Sequence, residues 1–155
     1  MPRSRPGALR PAHDPRPCTR SLPPPDRIHG LSSRTSLAIH RLELLTPGLH
    51  LGAVDYALRR YEEFLRPPGR RPLYPRMADC DCHWHAFDDV RHARDILEEA
   101  LEHLPPRPRA ELNRQVRRLD TEFHARTLPD PFADRRTWRV DRWWHRRLWE
   151  WGEWR

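Results

Sequence analysis

Cysteine and histidine are concentrated in one short stretch of this chain, and their chemistry is that of a metal site. The stretch covers residues 79–85 and reads Asp-Cys-Asp-Cys-His-Trp-His. Thiolate and imidazole are the ligands that zinc prefers, and four of them are needed for a closed structural site. In extended backbone the side chains of Cys80 and Cys82 point the same way, so both sulfurs can reach one ion. The candidate ligands, which include two residues at the start of the next predicted helix, are Cys80, Cys82, His83, His85, Asp88 and His92.

Three interpretations of this cluster stay open: a structural zinc, a catalytic metal, or side-chain packing without a metal. The Cys-x-Cys-x-x-His spacing is not that of a standard zinc-finger half, and no second pair of cysteines or histidines completes it. Aspartates beside the cysteines disfavour the thiolate form, which argues against a nucleophilic cysteine. The sequence thus indicates at most one zinc as a cofactor and identifies no catalytic residue.

The second distinctive stretch is the C-terminus, where tryptophan alternates with arginine. The sequence predicts a helix over residues 134–155, because Val140, Trp144, Leu148 and Trp151 recur at helical spacing and form one face. The residues on its other faces, which we expect to stay exposed and to bind a partner, are Arg139, Arg142, Trp143, Arg146, Arg147, Trp149 and Trp154.

Three roles for this C-terminal helix follow from its composition. Its tryptophans can close the fold by packing on the other helices. Alternatively, an exposed face can bind a protein or a nucleic acid, since tryptophan and arginine are common interface anchors and both stack on unpaired bases. Peripheral contact with an anionic membrane is the third role, but acidic residues within the segment argue against it.

Acid–base catalysis by carboxylates requires a pair of them, and several carboxylates occur between Asp88 and Glu102. Arginines lie four residues from several of them, as in the pair Arg94 and Glu98, so a solvated, ion-paired helix surface is the better interpretation. The chain also has no lysine, no serine after Ser36 and no clustered glycines. These absences exclude Schiff-base and P-loop chemistry, and they exclude a serine nucleophile in the helical part.

The charge of the chain permits an anionic partner. All 29 basic residues among the 155 are arginine, a usage typical of a GC-rich bacterial genome, and the formal net charge is +7. A positive field attracts polyanions whatever the origin of the arginines. Three cysteines are too few for a disulfide framework, which favours the cytoplasm, and no apolar run is long enough for a transmembrane segment.

The elements that position these residues are predicted to be helices. We expect residues 1–35 to be disordered, because they are rich in proline and arginine and poor in apolar side chains. Residues 36–45 are too short to assign as helix or strand. Thr46-Pro47 predicts an N-cap and the start of a helix that ends at residue 66, with an apolar stripe that begins at Leu51.

Two further helices, over 88–104 and 109–127, are separated only by a proline-rich connection, so an antiparallel αα-hairpin over residues 88–127 is predicted. The predicted fold is therefore an all-α domain over residues 36–155 built on this hairpin. The predicted function is a non-enzymatic binding module, stabilised by zinc if the cluster binds it, that contacts an anionic partner, with nucleic acid favoured. The alternatives are a protein–protein adaptor that uses the C-terminal tryptophan face and a small metal-dependent hydrolase.

Overall fold

The computed structural model describes residues 26–77, 85–135 and 141–150. Four α-helices and three short 3-10 helices form their secondary structure, with two isolated β-bridges and no named strand in these residues. The α-helices are α1 (Ser33–Leu45), α2 (Ala53–Leu65), α3 (Val90–His103) and α4 (Pro106–Arg126). The predicted all-α class is confirmed. No helix in the described part of the chain is long and apolar enough to cross a membrane.

Residues 36–45, which the sequence did not assign as helix or strand, belong to α1. Ser32 is its N-cap, and the hydroxyl of Ser32 accepts a hydrogen bond from the backbone N–H of Thr35 at 3.3 Å. The structured part starts earlier than predicted, because Ile28 and Leu31 are almost completely buried in the core. Residues 1–25 of the segment predicted to be disordered lie outside the described residues.

The predicted start of the next helix at Thr46-Pro47 is wrong. Thr46 is the C-cap of α1, and its backbone N–H donates to the carbonyl of Leu42 at 2.9 Å. The next helix, α2, begins at Ala53 after Gly52, whose φ of 83° lies in the left-handed region that glycine favours. The first residue of the predicted stripe, Leu51, is therefore outside the helix and 59% exposed.

A carboxylate from α1 caps α2 in place of a local side chain. The buried Glu43 accepts hydrogen bonds from the backbone N–H groups of Gly52 and Val54, each at 2.9 Å. These bonds satisfy donors that have no partner within the helix, and negative charge at a helix N-terminus is favourable. Since this cap comes from another helix, the local Thr-Pro signal did not locate the start of α2.

The apolar stripes predicted on the helices meet in one core, apart from Leu51. Its helical members are Ile39, Val54, Ala57, Leu58, Tyr61, Leu65, Val90, Ala93, Leu97, Ala100, Leu101, Leu112, Val116, Leu119 and Phe123, and Leu104, the C-cap of α3, joins them. The rings of Tyr61 and Phe123 meet edge to face at 5.4 Å between centroids.

The helices α3 and α4 follow one another with Leu104 and Pro105 between them, and α4 starts at Pro106 rather than at residue 109. However, α3 packs most extensively against α2, not against α4. Contacts between α3 and α4 include the ion pair of Arg94 with Asp120 at 2.9 Å. Close antiparallel pairing along the whole predicted hairpin stays a prediction.

The predicted C-terminal α-helix over 134–155 is wrong for the residues that the structure describes. Residues 141–150, which we name the C-terminal strap, contain the 3-10 helix Trp143–Arg146, a turn before it and two isolated β-bridges after it, at Arg147 and Glu150. The strap backbone bonds to distant segments: Leu148 donates to the carbonyl of Leu128 at 2.8 Å, and Glu150 donates to that of Pro75 at 2.8 Å. These tertiary hydrogen bonds replace those that a helix would make within itself.

Candidate functional site

The strap is attached to α3 through the carboxylate of Asp95, which is 5% exposed. This carboxylate accepts hydrogen bonds from Nη1 of Arg142 at 3.1 Å and from Nε1 of Trp144 at 3.0 Å. Nε2 of His145 lies 2.9 Å from its second oxygen. A buried carboxylate is tolerated only with such partners, so Asp95 and the strap hold each other in place.

Trp144 is buried, as predicted, and it packs under the guanidinium of Arg94 at 4.1 Å from the ring centroid. Arg94 also donates to Asp120 on α4 at 2.9 Å and to Glu98 at 2.7 Å. Burial alone would lower the pKa of Arg94, but the hydrogen bonds and charges of Asp120 and Glu98 raise it. The guanidinium thus stays charged in a largely apolar surrounding.

Asp120 also connects this network to α2. The hydroxyl of Tyr61 donates to Asp120 at 2.8 Å. Burial, together with the neighbouring Asp120 charge, raises the pKa of Tyr61. The phenol therefore stays neutral and serves as a fixed donor between α2 and α4.

Arg147, predicted to bind a partner, is buried against the end of α4. It donates to the hydroxyl of Thr127 and to the carbonyl of His124, each at 2.8 Å, and also to the carbonyl of Thr127. Burial lowers the pKa of Arg147. Within the described residues no carboxylate lies within ion-pair distance of it. Its positive charge instead meets carbonyl groups at the negative end of the helix dipole.

The other described members of the predicted binding set also contact the protein itself. Arg146 forms an ion pair with the exposed Asp134 at 2.6 Å. The ring of Trp143 packs against Phe123 at 6.0 Å, and the guanidinium of Arg91 lies 4.6 Å from the ring of Trp149. The remaining members, Arg139 and Trp154, lie outside the described residues. The structure thus brings the described set into the fold rather than onto one exposed helical face.

The predicted zinc ligands fall mostly outside the part of the chain that the structure describes. Cys80, Cys82 and His83 are not among the described residues, and for His85 only the backbone is, at the start of a 3-10 helix. The zinc site therefore stays a prediction, which elemental analysis of the purified full-length chain tests directly.

The two described candidate ligands have protein partners. The side chain of Asp88 is 57% exposed and lies 3.6 Å from Arg60. His92 packs edge-on against Phe87, with 5.2 Å between ring centroids. Neither contact requires a metal.

A group that sequence analysis did not single out lies at the end of α3, where ligand atoms of Glu99, Glu102 and His103 lie within 4.8 Å of one another. The only sequence signal is their spacing on one helical turn. The imidazole of His103 already bonds to the carbonyl of Glu99 at 2.8 Å. Exposed acidic groups at this spacing are common on helices, so this group carries no metal assignment.

A cleft of about 470 Å³ lies between the connection from α1 to α2, the helix α3 and the strap. Its lining residues are Pro47, Gly48, Leu49, His92, Asp95, Ile96, Glu99, Asp141 and Arg142. Arg142 and Asp95 bond to each other across it. The cleft is thus partly built from the attachment of the strap.

The outward face of α4 is basic, and its arginines have a different environment from those of the strap. We name Arg107, Arg114, Arg117 and Arg118 the α4 basic face; all four are exposed. At 3.6 residues per turn, Arg107, Arg114 and Arg118 lie within about 40° of one another around the axis. The sequence showed this segment to be basic, but every named partner-binding residue was placed in the C-terminal stretch, so this surface was missed although the arginine spacing was visible.

Two of the three acidic residues of α4 bond to other elements, and the third, Glu122, is half exposed and pairs with Arg126 at 3.5 Å. Glu111 accepts hydrogen bonds from the backbone N–H of Ser32 at 2.6 Å, from its hydroxyl at 2.8 Å and from the hydroxyl of Thr35. The hydrogen bond from Thr35, with those from Ser32, lowers the pKa of Glu111 against a smaller opposing effect of burial. Asp120 faces Tyr61 and Arg94, so these two carboxylates have partners inside the fold.

Comparisons of this chain with protein-family models, with curated proteins and with solved structures find no match. The functional assignment therefore depends on the physical chemistry of the described side chains.

Proposed function

We propose that this protein is a non-enzymatic nucleic-acid-binding module, and that the α4 basic face contacts the phosphate backbone. The observation that carries the proposal is the segregation of charge on α4. Arg107, Arg114 and Arg117 are exposed and form no ion pair with the described residues. Arg118 is also exposed but lies 3.4 Å from Glu62, whereas Glu111 and Asp120 bond to groups of the protein. Arginines outside ion pairs attract phosphates more effectively than arginines whose charge is already paired, so Arg107, Arg114 and Arg117 are the main contacts that we propose.

The arginines of this face are held on a rigid support. The opposite side of α4 contributes Leu112, Val116, Leu119 and Phe123 to the core. Its two ends are also held, since Glu111 bonds to Ser32 at the start of α1 and Arg147 donates to the carbonyl groups of His124 and Thr127. Pre-positioned charges lose little conformational freedom on binding, which favours affinity.

The proposal moves the expected contact surface away from the C-terminal segment. Trp144 is buried, Arg142 bonds to Asp95, and Arg147 bonds to α4. Releasing these groups would leave buried polar partners without hydrogen bonds, which is costly. The α4 basic face requires no such rearrangement.

The proposal is tested by fluorescence anisotropy with a labelled 20-base-pair DNA and the full-length chain. The variant Arg107→Gln/Arg114→Gln/Arg117→Gln should bind at least about tenfold more weakly, because three phosphate contacts are lost. Its salt dependence, the slope of log K against log salt, should decrease by up to about 0.9 per arginine. Circular dichroism and thermal melting establish that the variant is folded.

The matched control is Arg41→Gln/Arg66→Gln/Arg70→Gln. These arginines are also exposed, but they lie outside α4, and the change in net charge is the same. The control variant should keep most of the wild-type affinity. An equal loss in both variants, or no binding of wild-type protein at low salt, would contradict the proposed function.

A further inference from the structure

The α4 basic face has a composition that distinguishes between classes of nucleic acid. From Arg107 onward, the exposed positions of the helix that are not arginine are Ala110, Thr121, Glu122, His124 and Ala125. Proteins that bind single strands use aromatic side chains as stacking platforms for unpaired bases. No aromatic side chain lies among the exposed residues of α4 between Arg107 and Ala125 except His124.

His124 lies at the end of the face, and its ring packs against Trp143 with 5.7 Å between centroids. Tyr74 and Phe132 are exposed aromatic residues that belong to other segments, and Arg135 lies over the ring of Phe132 at 5.3 Å. The described basic surface of α4 therefore offers charge without a row of rings on which bases could stack.

The arginines form a row along the axis of one helix. Arg107 and Arg118 are eleven residues apart on one helix, which is about 16 Å along its axis at about 1.5 Å per residue. The exposed positions between them are Arg109, Ala110, Arg114 and Arg117, so this stretch presents arginine almost exclusively. A rigid row of charges matches the fixed phosphates of a duplex better than those of a flexible single strand, which must be ordered on binding.

The face also lacks the amide side chains that read base edges. Asn113 is half-buried, and the amide of Gln115 is held near the carbonyl of His29 and the carboxylate of Glu62, each at 3.5 Å. Contacts to phosphates position a protein on a duplex without conveying sequence. The absence of free amides removes the side chains that read adenine, and the remaining arginines bond to phosphates of any sequence as well as to guanine.

On these grounds we infer that the preferred partner is double-stranded DNA, bound through its phosphates without sequence recognition. This inference rests on the proposed function of the α4 basic face. It adds the class of nucleic acid and the mode of contact, neither of which follows from net charge, because single and double strands are both polyanions.

The test compares four labelled DNAs with the wild-type full-length chain: two 20-base-pair duplexes of unrelated sequence and one strand of each. Both duplexes should bind about tenfold more tightly than their single strands at the same salt, and their affinities should agree within about threefold. The variant Arg107→Gln/Arg114→Gln/Arg117→Gln should lose most of its duplex binding and reduce the difference between duplex and strand.

The outcomes separate this inference from the proposed function. If single strands bind as tightly as duplexes, and the triple α4 variant weakens both, the duplex inference is wrong and the proposed function stands. A difference of about tenfold or more between the two duplexes would overturn binding without sequence recognition. If no DNA binds, or if the control variant Arg41→Gln/Arg66→Gln/Arg70→Gln loses as much affinity, both are wrong.

Discussion

Arginines occur both on α4 and in the C-terminal strap, but their surroundings are opposite: solvent on α4 and other parts of the protein in the strap. On α4, Arg107, Arg114 and Arg117 point to solvent, and two carboxylates of the helix are turned toward other partners. In the strap, Arg142 and Arg147 point into the protein and bond to a carboxylate or to helix carbonyls. Density of arginine in a sequence therefore does not indicate which arginines are left exposed to solvent.

The difference follows from what each backbone can satisfy by itself. The helix α4 makes its hydrogen bonds internally, so its outward arginines need no role in folding. The strap makes few internal hydrogen bonds and is held by bonds to other segments, such as that from Leu148 to Leu128. Its polar side chains supply many of the remaining contacts, so they are used for stability.

The largest expected effect is on the carboxylate that holds the strap. Asp95→Ala should lower the free energy of unfolding by about 3–5 kcal/mol, because Arg142, Trp144 and His145 would lose their shared buried acceptor. Urea denaturation followed by tryptophan fluorescence measures this loss.

The matched control is Asp134→Ala, because the side chain of Asp134 is 82% exposed and pairs only with Arg146 among the described residues. It should cost less than about 1 kcal/mol. Similar costs for the two changes would contradict the role given to Asp95.

The neighbouring arginines of the strap provide a second comparison. Arg147→Ala should cost about 1–3 kcal/mol, because buried acceptors at the end of α4 would lose their donor. Arg146→Ala removes a more exposed ion pair and should cost less than about 1 kcal/mol. Both values come from the same urea experiment. An equal loss at the two positions would mean that Arg147 is not distinguished by its burial.

The third effect concerns an acidic residue of α4 that is held inward. Glu111→Gln should cost about 0.5–2 kcal/mol near neutral pH, since it weakens a cap at the start of α1. The pKa of Glu111 is lowered in the fold, so its stabilising effect is present above the unfolded value of about 4.3. That effect is lost as the pH falls through the lower, folded value.

The stability of wild-type protein and that of Glu111→Gln should therefore converge between neutral and acidic pH. Thermal melting of both proteins in buffers from about pH 7 to pH 3 measures this convergence. Glu122→Gln is the control on the same helix, because its side chain is half exposed and pairs with Arg126. A constant difference between wild type and Glu111→Gln across this range would contradict the inward role of the Glu111 charge.

The smallest expected effect is on binding by the strap. Arg146→Gln should change the affinity for duplex DNA by less than about twofold, because its guanidinium is paired with Asp134 and lies outside α4. Arg114→Gln should weaken binding more at the same salt concentration. Anisotropy titrations of the two single variants make the comparison. A larger loss of affinity for Arg146→Gln than for Arg114→Gln would indicate that the C-terminal segment contains the binding surface.

The sequence by itself determined the features of this protein that depend on local periodicity. The stripes that include Leu97 and Leu119 are buried as predicted, because a helix with apolar residues at every third or fourth position can hide only one face. The burial of Trp144 was also predicted, although on a helix that the described residues do not form. At the candidate site, the spacing of the arginines on α4 could be read from the sequence. The sequence did not show which acidic side chains lie close to those arginines.

Only the tertiary structure decided the features that depend on partners far away in the chain. Glu111 meets Ser32, which is 79 residues away, and Glu43 replaces the local cap expected for α2. The strap bonds to Asp95 on α3 instead of forming a helix. Local rules describe which hydrogen bonds a segment can make within itself, whereas a buried acceptor elsewhere can offer a better alternative once the chain has folded.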